Sequence, residues 1–315
     1  FHNRALKGYI VGIEEGSGDA LKEILGLVDF FPLFSSPVVS LCLWASQYYA
    51  APLGQILKYA VPLNLPVEQY LIVKSLCDQW GQLDGSLVRK VLKTRRKEEI
   101  MALYQARMID FYDVFSKNPF VSAIPEPART EKHSKNLYMG GIDGRIEHYL
   151  ALISRHTMRK ENVLVILPDY YASGRYFYKI ISDKFKGRVY WYGSPEKPKA
   201  RAEAYFRARN AGGMVILGNR SAAFLPLFNI GLIIVEKAEA DEHRNEEGVR
   251  FNAWTAALKR AEFEDVPIVL GSAAAPLEVY KSVSEGKYTI TDKTITVKRE
   301  RIDVVKKRQL SVPGR

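Results

Sequence analysis

Cysteine is nearly absent from this sequence, with Cys42 and Cys77 the only two in 315 residues. Both lie inside apolar helical patterns rather than at metal-ligand spacing, which excludes a disulfide framework and leaves two buried thiols. Long apolar runs are absent as well. No stretch reaches the ~18 residues of a membrane span and no basic-then-apolar leader opens the chain, so a cytoplasmic setting without a membrane partner is expected. Internal repeats are not evident. Methionine does not stand first; Phe1 does, and a longer protein is expected around this segment. What the chain has in excess is positive charge: 46 Lys and Arg against 35 Asp and Glu, a formal +11. That field favours polyanions without naming one. The hydrophobic share of 47% is that of a folded body, and the length suits two or three domains.

Along the chain, LKGYIVGI (residues 6–13) alternates as a strand, ended by the Gly/Ser/Asp cluster at 16–19. Apolar spacing predicts two short helices between Ser36 and Ala60, interrupted at Pro52 and Gly54. From Pro66 to Phe115 the pattern is three helices and a strand: VEQYLIVKSLCDQW, GSLVRKVLK introduced by a cap-competent Asp84, RKEEIMALYQAR, then MIDFYDVF. That order suggests a winged helix. Arg89, Lys90, Lys93, Arg95, Arg96 and Lys97 cluster around the start of its third helix, either as a phosphate-contacting surface or as the solvated face of a helical hairpin. Residues 116–135 read as a linker. Beyond it VLVILP, RVYWYG, GGMVILG, GLIIVE and PIVLGSA alternate with helical patterns, the signature of a parallel α/β sheet. The basic, alternating end KYTITDKTITVKRERIDVVKKR fits a hairpin or a crossing linker.

Ligands of parallel α/β sheets sit at the carboxyl ends of strands, so the loops there carry the chemistry. MGGIDGRI, Met139 to Ile146, has the loop-to-helix outline of a phosphate cradle around Gly140 and Gly144. Arg145 stands where a compact lysine is needed, and Ile146 offers magnesium no oxygen. After GLIIV the chain offers Glu236, Lys237, Ala238 and Glu239, where a nucleoside triphosphatase places a metal-binding acid and a water-positioning carboxylate. Glu236 keeps the sign for a metal; Lys237 does not. Two independent defects in one site are expected to abolish turnover. Between Arg175 and Arg209 ten basic residues face three acidic ones, interleaved with Tyr176, Phe177, Tyr190, Trp191 and Tyr192, as base-stacking rings or as packing.

These residues carry a resemblance to the primosomal replication-restart helicases of the PriA family. FHNRALKGYIVGI and ASQYYAAPLGQILKYAVP resemble the end of the family's amino-terminal DNA-binding domain. VILGNRSAAFLPLFNIGLIIVE is similar to its Gly-Thr-Arg-Ser-Ala run leading into an Asp-Glu-Glu-His box, NEEGVRFNA to the end of its aromatic-rich loop, and VLGSAAAPLEVYKSVSEGKY to its Ser-Ala-Thr motif. The resemblance implies a multidomain α/β chain: residues 1–62 as the carboxyl part of a 3'-DNA-binding domain, 63–120 as a winged helix, 121–135 as linker, 136–290 as a RecA-like helicase lobe with a degenerate P-loop, and 291–315 as a basic segment leading out. The family's Gly-Lys-Thr becomes Gly144, Arg145, Ile146, and its Ser-Ala-Thr becomes Ser272, Ala273, Ala274. Gly218, Arg220, Ser221, Phe224 and Gly231 are kept, whereas His2 replaces a usual Gly and the family's eight-cysteine zinc region has no counterpart, so no metal site is carried over.

The expected function is therefore a DNA-binding primosomal protein that recognises forked or 3'-ended DNA and helps load other restart proteins, without catalytic residues or a cofactor. Lys90, Lys93, Arg95, Arg96, Arg220 and Arg250 are the candidate DNA contacts. An active superfamily-2 3'-to-5' helicase using ATP and magnesium, and a protein-interaction scaffold of the primosome, are the alternatives.

Overall fold

A computed structural model describes residues 8–13, 15, 34–60, 69–73, 80, 82–86, 88–113, 131–193, 200 and 212–292. In chain order, helices α1 (Ser36–Tyr48) and α2 (Leu53–Ala60) come first, with Pro37 in the first turn of α1, where no N–H partner is needed. Strands β1 (Gln69–Val73) and β2 (Ile109–Asp113) then pair antiparallel, Leu71 opposite Phe111. Helices α3 (Val88–Thr94) and α4 (Lys97–Gln105) lie between them in sequence.

The rest is a seven-stranded parallel sheet. Its strands are β3 (Lys135–Met139), β4 (Asn162–Ile166), β5 (Val189–Tyr192), β6 (Val215–Gly218), β7 (Ile230–Glu236), β8 (Ile268–Ser272) and β9 (Thr289–Asp292), in the order β5-β6-β4-β7-β8-β3-β9. Helices α5 (Ile142–Met158), α6 (Arg175–Lys184), α7 (Ala253–Glu264) and α8 (Leu277–Ser284) connect or follow them. Strand alternation sorts the apolar runs into two cores. Val163, Val165, Val215, Leu217, Leu232 and Ile234 face Tyr149 and Ile153 of α5 and Phe177 and Ile181 of α6. Leu164, Ile166, Ile216, Ile233, Val235, Ile268 and Leu270 face the other way, onto α7, α1 and α2. Both faces being covered is why these strands read as unbroken apolar runs.

The second core reaches well back in sequence. Tyr59 of α2 packs edge-on against Phe251 at 5.1 Å between centroids and tilted on Phe224 at 6.2 Å; Tyr49 meets Phe251 at 6.4 Å. Beneath α1, the wholly buried Arg260 of α7 donates Nη1 to the Ala223 carbonyl at 3.0 Å, and burial lowers its pKa despite the nearby Glu264. Cys42 lies in the same core, its thiol pushed up to about 12 by burial, which makes it an inert packing group. Cys77 lies outside the described residues.

Several expectations are corrected. Residues 8–13 form no strand. The first helix expected in 63–120 is replaced, over 69–73, by β1: Tyr70, Leu71, Ile72 and Val73 are β-favouring, and β2 supplies their ladder partners. Asp84 lies four residues before α3 and accepts from Val73 N at 2.9 Å, so it ties down the end of β1 rather than capping the helix. Of the basic alternating end, Thr289–Asp292 forms β9, parallel to β3 and at the sheet's edge among the described residues. Its continuation, the 114–130 part of the linker, His2 and most of the basic stretch 194–211 lie outside the described residues.

Candidate functional site

The site is built at the carboxyl ends of β3, β8 and β7. These strands are in register, with Tyr138 of β3 and Glu236 of β7 both opposite Gly271 of β8. A Cβ on Gly271 would lie 1.5 Å from the Tyr149 hydroxyl and 2.9 Å from Glu236 Oε2. The missing side chain is therefore what lets α5 and β7 meet across the strand between them.

Arg145 and Glu236 meet there. The guanidinium donates Nη2 to Oε1 at 2.7 Å and Nε to Oε2 at 3.0 Å, a forked charge-assisted contact, and its Nη1 donates to the Gly140 carbonyl. Tyr149 donates its hydroxyl to Glu236 Oε2 at 2.8 Å. Burial works against the Arg145 charge, but the Glu236 carboxylate overrides it and holds the guanidinium above the ordinary arginine range. Burial, then the carboxylate, pushes the Tyr149 phenol well above its usual value, so it remains a donor.

The loop between β3 and α5 is not a cradle. Helix α5 begins at Ile142, and the Arg145 N–H is already bonded to the Gly141 carbonyl at 3.1 Å. A phosphate loop wraps its ligand in several residues ahead of the helix, and here only Gly140 and Gly141 stand between β3 and α5. Tyr138 lies under the loop. A Cβ on Gly140 would stand 3.0 Å from its ring, and one on Gly144 3.0 Å from its hydroxyl. Both oxygens of Glu236 are already occupied by donors, so neither is available to a metal, and Ile146 points into the apolar core. The residues present do not fit a magnesium-bound nucleoside triphosphate.

The arrangement also departs from the sequence reading. Glu236, expected to keep its charge for a metal, is instead paired with Arg145 of the other loop in one buried ion pair. Lys237 takes a left-handed backbone, φ 50°, and lies outside the pair; the turn it makes is closed by Ala240 N to its carbonyl at 2.8 Å. Ser272 of the Ser-Ala-Ala run and two residues that sequence reasoning missed, His243 and Asn245, hold the loop after β7. Ser272 donates to Glu239 at 2.6 Å. His243 bonds the Glu236 carbonyl at 2.9 Å, which fixes its proton on Nε2 because a carbonyl only accepts. Asn245 donates to the Val249 carbonyl at 2.7 Å and accepts from Arg220 Nε at 2.9 Å. A polar residue within an otherwise charged loop was the available signal for Asn245.

The candidate DNA contacts are dispersed. Lys90 and Lys93 on α3, Arg96 before α4, and Arg250 are exposed. Arg95 is half-buried, its guanidinium 5.3 Å over the Trp80 ring, and Arg220 is engaged with Asn245. Of the interleaved rings, Phe177, Trp191 and Tyr192 are core, Tyr190 is half-buried, and Tyr176 is exposed. Among the described residues no three His, Cys, Asp or Glu gather where a metal could be held, and no helix is long and apolar enough to cross a membrane.

Residues 1–62 match the family of the 3'DNA-binding domain (3'BD). Over 309 residues the chain is 25% identical to the replication restart protein PriA of Rickettsia typhi, covering 96% of this chain. The chain is related to the PriA replication restart proteins. It is 27% identical over 215 residues to PriA of Bacillus subtilis, covering 65% of this chain and 26% of that protein. It spans 42% of the length of the Rickettsia PriA. Among solved structures, T4 UvsW superposes on 50% of this chain and 41% of its own with a TM-score of 0.33 at 10% identity, a partial likeness that adds nothing to the fold described above.

Proposed function

We propose that this chain acts in replication restart as a DNA-binding protein that recognises forked or 3'-ended DNA and helps load other restart factors, without hydrolysing ATP. Its α/β lobe serves as a rigid platform rather than a motor. The observation that carries this reading is the buried Arg145–Glu236 pair. Phosphoryl transfer is catalysed by positioning and by charge placed on the phosphates and the metal. Here the cation that would meet the phosphates and the acid that would meet the metal neutralise each other. The match of residues 1–62 to a 3'DNA-binding domain supports the DNA half of the reading, and the excess of basic residues agrees with it. Residues 63–120 serve as a winged helix in this proposal, with Lys90, Lys93 and Arg96 on phosphates.

The test is ATP hydrolysis with and without forked DNA, beside DNA binding in the same preparation. Binding without DNA-stimulated hydrolysis is expected. Robust stimulated hydrolysis would replace the proposal with an active helicase.

A further inference from the structure

The end of the sheet opposite Arg145 and Glu236, where strands begin, carries a second concentration of charge. Lys184 closes α6, and Lys186 and Arg188 occupy the turn into β5 around Gly187, whose φ is +76°. With Asp183 and Phe185 they line a shallow groove of about 360 Å³. Lys160, just past α5, comes in from the side: a Cβ on Gly213 would lie 3.6 Å from Lys160 Cα and 3.7 Å from Arg188 Nη1. Gly212 and Gly213, before β6, let the backbone pass close against Lys160, which brings a lysine and an arginine from different elements to the same turn. All four cations are exposed, and none has an ion-pair partner among the described residues. A lysine in the last turn of a helix is explained by the helix dipole, which accounts for Lys184. It does not account for Lys186 and Arg188, which lie beyond that helix.

We propose that this groove is a second nucleic-acid contact, binding the phosphate backbone of a duplex arm; the inference rests on the DNA-binding reading above. Two features favour a duplex. The groove's one aromatic, Phe185, is half-buried with Lys184 Nζ 5.9 Å over its ring, so it offers no open platform to an unpaired base. Lysine is depleted from the cores of protein interfaces, whereas flexible lysines suit a backbone read without sequence. A contact here would let one molecule hold a duplex at the start of the strands while other surfaces engage a 3' end.

The test uses the full chain with Lys184→Ala, Lys186→Ala and Arg188→Ala combined, its fold checked by an unchanged melting curve. Binding is measured against salt with two labelled probes: a fork with a long duplex arm, and a short 3'-ended single strand. The expected result is a salt slope on the fork flattened by about 2 to 3 units, with single-strand binding unchanged. An unchanged slope on the fork overturns the inference while leaving the DNA-binding reading intact. Equal losses on both probes also overturn it, because they would reflect overall charge. Failure of the unaltered chain to bind either probe overturns both.

Discussion

Arg145 and Glu236, 91 positions apart, form a buried ion pair at 2.7 Å whose side chains retain 3% and 0% of their exposure. Removing one member strands the other. Glu236→Gln or Arg145→Ala is expected to cost about 3–5 kcal/mol in denaturant unfolding, whereas Arg145→Met combined with Glu236→Leu should cost far less than the sum. Additive losses would show that the two charges are not coupled.

The same pair and the early start of α5 determine what repair can achieve. Arg145→Lys with Ile146→Thr recreates the side chains of a phosphate site but not its backbone, since the helix still begins at Ile142. No ATP hydrolysis and no rise in melting temperature with magnesium-ATP are expected from this variant. A ligand-dependent rise would show that the loop reopens.

Gly271→Ala puts a methyl group on the Tyr149 hydroxyl and close to Glu236. Strong destabilisation is expected, with part of it recovered by adding Tyr149→Phe, which removes the clashing oxygen. Equal melting temperatures for Gly271→Ala and the unaltered chain would refute the crowding argument.

Two buried histidines set a pH dependence. Burial pushes His156 and His243 below the ordinary value of 6.5, against the pull of Glu161 on the first and of backbone carbonyls on the second. A depressed folded value means the unfolded chain takes up protons first. Their contribution is therefore complete above pH 6.5 and is lost as pH falls through and below it. His243→Gln should flatten the decline in stability measured between neutral and mildly acidic pH.

On the winged-helix reading, Lys90→Ala, Lys93→Ala and Arg96→Ala together should flatten the salt dependence of DNA binding by about 2 to 3 units at unchanged stability. Arg95→Ala should instead lower stability by about 0.5–1 kcal/mol, because its guanidinium lies over Trp80. Unfolding curves beside binding isotherms separate the two effects.

Much of the lobe was legible because its strands are buried on both faces and therefore announce themselves as apolar runs. The members of the site were legible too, as residues just beyond strands. Their pairing was not: β8 lies between β3 and β7, and only the register of Tyr138, Gly271 and Glu236 reveals that a glycine opens the way. Local pattern failed where partners decide. YLIV suits helix or strand until β2 is beside it, and β9 is short and polar enough, in a stretch that turns basic after it, to pass for a linker. Trp191 and Tyr192 stand in a basic stretch that suggested stacking on bases, yet strand alternation turns one into each core.

The seam at residue 62 has a practical side. Tyr49 and Tyr59 come from the stretch that matches the 3'DNA-binding domain, whereas Phe224 and Phe251, against which they pack, belong to the lobe. A protein cut at that boundary would bare aromatic surface on both pieces, and each would tend to stick to itself or to the other. The boundary drawn by homology is thus a poor place for scissors: α1 and α2 serve as a lid on the lobe's own core, and a lobe cut free of them would leave that core uncovered.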